Sequence, residues 1–319
     1  YLKMAFHLSR EARSGLNEFK IPSDFRSKLL DFQVKAVQIA AHHLHKRDGV
    51  MIGDVVGLGK TLMAVSLARI FEDDFSFDTL IICPKNLVKM WEDYRDTYRL
   101  RAKVLSSSVV INKLEDLKRY RIIIIDESHN LRNREGKRYK AIQQYINVNE
   151  CKVILLTATP FNKTFTDLSN QLRLFINEDQ ELSIRPEKLI AELTEPVFLA
   201  EHQCPVKSIA AFEKSEYSDD WRDLMKLYMI RRTRTFIKEN YAKLDSEKNR
   251  KYLTFSDGSK SYFPDRVPKK ASFKIDENDS NDQYAMLYSS RVVDAINELN
   301  LPRYGLGNYI EPHPDNPPT

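Results

Sequence analysis

The hydrophobic positions of this chain fall into two regimes. Up to about residue 165, short apolar runs alternate with stretches of helical spacing. Val34, Val37, Ala41 and Leu44 recur at three- and four-residue intervals within 33–47, and the pattern stops at Asp48-Gly49. Val50 to Ile52, Thr79 to Cys83, Ile122 to Ile125 and Val153 to Leu156 are apolar throughout, without the alternation of a half-exposed strand. Such runs suit strands covered on both faces, as in a parallel sheet. Helices are expected over Thr61 to Phe71 and around 86–98, so the order is that of an α/β fold. Every strand gives way to polar or Gly residues, which places the chemistry along the carboxyl edge of the sheet.

Beyond 165 the chain reads as mostly helical, with a long amphipathic stretch over 216–243. Residues 252–264 read as a hairpin about Asp257-Gly258, and Gln283 to Leu299 as another helix. The tail, with Pro312, Pro314, Pro317 and Pro318, reads as unstructured.

Composition narrows the class. A hydrophobic fraction of 42% with 30% charge is ordinary for a globular protein and too apolar for a disordered one. No run of about 18 apolar residues occurs, so no helical membrane span and no membrane partner are expected. Tyr1-Leu2-Lys3-Met4 is followed by no apolar signal segment, and the absence of an initiating Met suggests a piece of a longer chain. Cys83, Cys151 and Cys204 lie too far apart for a zinc or disulfide framework, which favours a reducing, intracellular setting. His42, His43 and His45 lack a completing carboxylate or thiol at metal spacing and read as a solvated helix face. Charge is uneven. Residues 1–180 carry 29 basic and 22 acidic side chains (+7), and 181–319 carry 21 and 23 (−2), so the first part suits a polyanionic partner.

The strongest local signal is Gly53-Asp54-Val55-Val56-Gly57-Leu58-Gly59-Lys60-Thr61, between a strand and a helix. Such a loop aims backbone N–H groups at phosphate from a helix N-terminus. Lys60 would reach the outer phosphates and Thr61 would ligate Mg²⁺. Asp54 departs from the usual pattern by standing where its first Gly belongs. The run Ile122 to Ile125 ends in Asp126-Glu127, suited to holding Mg²⁺ through Asp126 and polarising a water through Glu127.

Asp-Glu-Ser-His at 126–129 resembles the Asp-Glu-x-His box of helicase superfamily two. With Asp54 to Thr61, it is similar to the Swi/Snf-type helicase-like ATPases, whose phosphate loop also carries Asp at that place. Val55 stands where the family has Glu. Leu30-Asp31-Phe32-Gln33 resembles the family's glutamine motif, and 80–87 with Trp91 resembles the box that touches the nucleic-acid backbone. Leu156 to Asn162 (Leu-Thr-Ala-Thr-Pro-Phe-Asn) resembles the box coupling hydrolysis to strand contact, and Met229-Ile230-Arg231-Arg232 the late Arg-Arg signature. Residues 273–288 resemble the lead-in to a second lobe, for which no further motifs follow.

The resemblance implies a RecA-like P-loop lobe with a central parallel sheet flanked by helices, a mainly helical insertion and a small hairpin. It divides the chain into a flanking segment 1–27, an ATP-binding lobe 28–180, an insertion 181–245, and a hairpin and linker 246–319 leading toward a second lobe. It implies ATP and Mg²⁺ as ligands, with the nucleotide held by Gln33, Asp54, Gly57, Leu58, Gly59, Lys60, Thr61 and Leu62. Lys60, Asp126 and Glu127 would be catalytic, Thr61 and Asp126 metal-binding, and His129, Thr157 and Thr159 coupling residues. Lys85, Asn86, Asn162, Arg132 and Arg134 would touch nucleic acid; the basic cluster at 132–140 equally suits a solvated helix face. Arg231, Arg232 and Arg234 could touch nucleotide, pack across lobes or form salt bridges.

The implied function is ATP-driven translocation on double-stranded DNA, with a second RecA-like lobe as partner and slow turnover by this lobe alone. A strand-separating helicase, an RNA-dependent ATPase and a non-hydrolysing nucleotide-gated module stay open. The continuation at 130–136 is similar to bacterial members, some of which carry a nuclease domain and serve antiphage defence; the setting would be the bacterial cytoplasm, or the nucleus in a eukaryote.

Overall fold

The computed structural model describes residues 19–263 apart from 55–56, 163, 247 and 256–257, together with 282, 285–286 and 289–298. Two compact units divide the chain at Phe263/Pro264. In the second, the described structure is mainly a helix, Ser290–Glu298, inside the stretch expected to be helical. The Pro-rich tail and most of the 1–27 segment lie outside the described residues.

The first unit is organised by six parallel strands: β1 (Gly49–Ile52), β2 (Thr79–Cys83), β3 (Ala102–Ser106), β4 (Ile122–Asp126), β5 (Lys152–Leu156) and β6 (Met229–Ile230). Their order across the sheet is β3-β2-β4-β5-β1-β6. Strands β1, β2, β4 and β5 are the four apolar runs of the sequence. Alternate side chains feed opposite cores. Val50, Ile52, Ile81, Ile124 and Ile154 join one hydrophobic cluster, and Met51, Leu80, Ile82, Ile123 and Leu155 join the other. Each such side chain contributes roughly 1.5–3 kcal/mol by leaving water.

The first cluster is covered by α1 (Asp31–Arg47), α2 (Lys60–Phe75) and α3 (Val88–Thr97). The second is covered by α4 (Lys137–Asn149), α5 (Thr166–Leu172) and α6 (Ser218–Tyr228). Trp221, Leu224, Met225 and Tyr228 of α6 are buried there, so the segment read as an insertion at 181–245 completes the core. It also supplies β6. The amphipathic stretch read over 216–243 is not one helix: it breaks at Met229, whose φ −124° and ψ 136° are extended, and resumes as α7 (Arg234–Asn240). After α7 come three antiparallel strands, β7 (Lys243–Asp245), β8 (Arg250–Thr254) and β9 (Lys260–Tyr262); β8 and β9 form the expected hairpin, with Gly258 at φ +84°. Asp257 lies outside the described residues.

One sequence reading of α1 is corrected. His43 is buried, not solvated, and its Nδ1 lies 3.3 Å from the Arg47 guanidinium. Arg47 can only donate, so Nδ1 accepts and the ring is neutral. Burial first, then Arg47 and His42, lower its pKa from 6.5 to about 3. Between those values the unfolded chain binds the extra proton, so the stability is fully present above pH 6.5 and lost as pH falls toward 3. From pH 7.5 to 5 the loss is expected to be about 2 kcal/mol. Urea melts at the two pH values should differ by that much more in the wild type than in His43→Gln; equal pH dependence would refute it.

Candidate functional site

Because all six strands run the same way, the ends of β1, β2, β4 and β5 share one edge. The chain after β1 does not return to its neighbour but crosses to β2, and a crevice forms where the strand order reverses. The loop after β1 and the carboxylates after β4 are separated only by β5, about 10 Å at ordinary strand spacing.

Gly53 follows β1 with its N–H on Ile230 O at 2.7 Å, and α2 begins at Lys60. Gly57 and Gly59 lie at φ +84° and +78°, a region that costs a residue with a Cβ. Crowding adds to this. A Cβ on Gly59 would lie 2.4 Å from Gln33 Nε2, and one on Gly57 would lie 2.9 Å from an Arg234 nitrogen. Gln33 donates from Nε2 to Leu58 O at 2.9 Å and accepts from Leu30 N–H at 2.8 Å. Gln33 thus braces the phosphate loop, and its amide keeps one further donor and acceptor position. Lys60 Nζ donates to Asp54 O at 3.0 Å. Thr61 and Leu62 are half-buried in the first turn of α2, with Leu62 against the first core cluster.

Asp54 takes a different place from the other loop residues. It is fully buried, and its carboxylate accepts from the Arg232 backbone N–H at 2.7 Å, from Nε at 3.2 Å and from Nη2. Arg232 also donates to Phe32 O and lies 4.9 Å over the Phe32 ring. One guanidinium therefore ties the phosphate loop to the glutamine segment and to β6. The Asp54 carboxylate faces protein, meeting Arg232 with both oxygens.

At the end of β4, Asp126 Oδ2 accepts from the Trp91 indole at 2.9 Å and Oδ1 from Glu127 N–H at 2.9 Å. The buried indole fixes the carboxylate's rotamer, as outer partners of metal ligands do. Glu127 sits at φ +49°, and its Oε2 lies 3.1 Å from His129 Nδ1. The same nitrogen lies 3.3 Å from the Thr157 hydroxyl, which accepts from Thr159 N–H at 3.1 Å. Glu127, His129, Thr157 and Thr159 are thus joined in one chain of contacts. Ser128 and Gln171, both buried, add a parallel link: Ser128 donates to Gln171, which donates to Pro160 O.

A hydroxyl on Thr61 and a carboxylate on Asp126 are hard oxygen donors of the kind Mg²⁺ takes. Among the described residues, no cluster of three or more His, Cys, Asp or Glu could cage a metal. Mg²⁺ usually keeps waters and shares substrate phosphates with one or two side chains. Cys83, at the end of β2, is buried, and burial first, then Asp126 and Glu92, push its thiol up to about 12.

The expected nucleic-acid residues divide. Lys85, Asn86 and Asn162 are exposed at the carboxyl edge. Arg134 is exposed, with Nε 3.9 Å from Glu135. Arg132 is half-buried, donating to Thr159 O with Nε 4.0 Å from Asp167. The contacts of Trp91, Gln171 and Arg232 had no local signature. Only the position of Trp91 and Arg232 inside quoted motifs pointed their way.

A model of the SNF2-related domain matches residues 32–107 and 98–300. A SWI/SNF-related matrix-associated actin-dependent regulator of chromatin subfamily A-like protein 1 homolog from Caenorhabditis elegans is 29% identical over 190 residues, covering 52% of this chain and 26% of that protein. The mouse DNA annealing helicase and endonuclease ZRANB3 is 26% identical over 169 residues, covering 44% and 15%. An uncharacterized ATP-dependent helicase, YqhH, from Bacillus subtilis is 26% identical over 159 residues, covering 43% and 28%. The matches thus span between 15% and 28% of these relatives' length. A solved SWI2/SNF2 ATPase core from Sulfolobus solfataricus, in complex with double-stranded DNA, is 18% identical with a TM-score of 0.49, covering 72% of this chain and 52% of the other.

Proposed function

The chain belongs to the SNF2-related family of helicase-like ATPases, and from that premise we propose that it is the first RecA-like lobe of an ATP-driven translocase on double-stranded DNA. The observation that carries this reading is the contact chain from Glu127 through His129 to Thr157 and Thr159. It joins the water-activating carboxylate to the loop beside the exposed Asn162 and so gives hydrolysis a physical route to strand contact.

In this reading the N–H groups at the start of α2 bind the phosphate chain. Lys60 exchanges Asp54 O for phosphate oxygens, leaving the loop's shape to the Asp54–Arg232 pair. Thr61 and Asp126 hold Mg²⁺, which when bound neutralises charge on the outer phosphates. Glu127 orients and deprotonates the attacking water, and His129 passes any displacement of that carboxylate to Thr157. Lys85, Asn86 and Asn162 touch the DNA backbone, which positions the strand without reading sequence.

Nothing in this lobe is assigned to the arginine that stabilises charge in the phosphoryl transition state; a second RecA-like lobe supplies it. Such an arginine is worth about 10³–10⁵ in rate. The chain alone is therefore expected to bind a fluorescent ATP analogue but to hydrolyse ATP about a thousandfold or more below the rate seen once a second lobe is supplied. Fast, DNA-stimulated turnover by the chain alone would overturn the two-lobe reading, and failure of Lys60→Ala to weaken analogue binding would overturn the nucleotide site.

A further inference from the structure

The three-stranded sheet after α7 serves none of the motifs above, yet its two faces differ sharply. Directly opposed residues of neighbouring strands share a face, as do alternate residues within a strand. The registers Lys243↔Tyr252, Asp245↔Arg250, Tyr252↔Tyr262 and Thr254↔Lys260 therefore gather these seven residues on one side. The other side holds Leu253, buried against Leu30, Phe32 and Leu58 beside the phosphate loop. On the polar side Lys243 and Lys260, with Lys248 of the β7–β8 turn, are exposed.

On it the cations are ordered by rings. Tyr252 and Tyr262 pair at 5.6 Å between centroids. Lys260 Nζ lies 4.6 Å over Tyr252, Lys248 Nζ lies 4.8 Å over Tyr262, and the Arg250 guanidinium lies 5.6 Å over Tyr262. Asp245 is the acid set into this face; it is buried, accepts from the Tyr262 hydroxyl, and lies 3.4 Å from Lys260. Over 243–262 the sequence has Lys243, Lys248, Arg250, Lys251 and Lys260 against Asp245, Glu247 and Asp257, a net +2 inside the otherwise acidic part of the chain.

We propose that this polar face is a second nucleic-acid contact, a surface that follows the phosphates of duplex DNA away from the cleft. The inference rests on the lobe being a DNA translocase and adds a contact outside its motifs. Charge complementarity selects a polyanion, and the ring geometry selects the form. Stacking of unpaired bases needs open aromatic faces, whereas here Lys248, Arg250 and Lys260 lie over the two rings. The rings act as a bed that holds flexible cations in place, which lowers the entropy lost when each meets a phosphate.

The test is the salt dependence of binding to a short labelled duplex, read by anisotropy with the whole chain. Each phosphate neutralised adds about 0.9 to the slope of log K against log salt. Lys243→Gln/Lys248→Gln/Lys260→Gln should lower that slope by about 2–3 and Lys243→Gln alone by about 1, with Lys→Arg at the three positions preserving it. Binding of a fluorescent ATP analogue should be unchanged, which also reports folding; if the triple variant fails to fold, Lys243→Gln decides. An unchanged slope in a wild type that binds DNA overturns this inference alone. A loss confined to single strands, or to an acidic peptide such as polyglutamate, overturns it in favour of that partner. A wild type that binds no DNA at all overturns the translocase reading with it.

Discussion

Glu127→Gln, in an ATPase assembled from this chain and a second RecA-like lobe, is expected to lower hydrolysis by about 10²–10⁴ while leaving nucleotide binding intact. Gln keeps the shape and can still meet His129, whose Nδ1 lies 3.1 Å from the carboxylate. What it cannot do is accept the proton of an attacking water. Glu127 N–H donates to Asp126, whose rotamer Trp91 fixes, so the proposed base and the proposed Mg²⁺ ligand are held in one network, and their roles must be told apart by what each variant loses. Single-turnover rates beside analogue affinities separate the two. A variant that keeps more than about a tenth of the wild-type rate would remove Glu127 from the general-base role.

The largest expected effect on stability belongs to Asp54. Asp54→Asn leaves the buried Arg232 guanidinium without its opposite charge, a change that costs about 3–5 kcal/mol. For a lobe of this size that corresponds to a melting point lower by roughly 10 °C. Replacing both partners by apolar residues, Asp54→Leu with Arg232→Met, should recover most of the loss, because no charge then stays buried. Urea unfolding of Asp54→Leu, of Arg232→Met and of the pair closes the cycle. If Asp54→Asn costs under about 1 kcal/mol, the clamp is not what holds the phosphate loop.

Sequence and structure part company in an instructive way. Strands β1, β2, β4 and β5 were legible because burial on both faces demands unbroken apolar runs. Strand β3 was not: it lies at the sheet edge and only Val104 of its five residues is buried, so it has no unbroken apolar run. Strand β6 is two residues long and sits inside a helical periodicity that Trp221, Leu224, Met225 and Tyr228 maintain up to its first residue. In the site, residue types at strand ends declared themselves through short motifs. The contacts that hold them did not, since Trp91 meets Asp126 across 35 positions and Arg232 meets Asp54 across 178. Asp54 illustrates the limit. Sequence marks it as a departure from the phosphate-loop pattern, and only the fold reveals that the departure exists to receive an arginine.

Strand β6 has a mechanical consequence. Its short ladder to β1, the bond from Gly53 to Ile230 O and the Arg232 clamp place the chain's exit from the sheet directly on the strand that carries the phosphate loop. A pull on the chain beyond Arg232, directed along the strands, loads those bonds in shear. They then resist together instead of opening one after another. Tension on that exit reaches Gly53 and Asp54 before any other part of the sheet, and the nucleotide loop becomes the point at which force on the polypeptide is first felt.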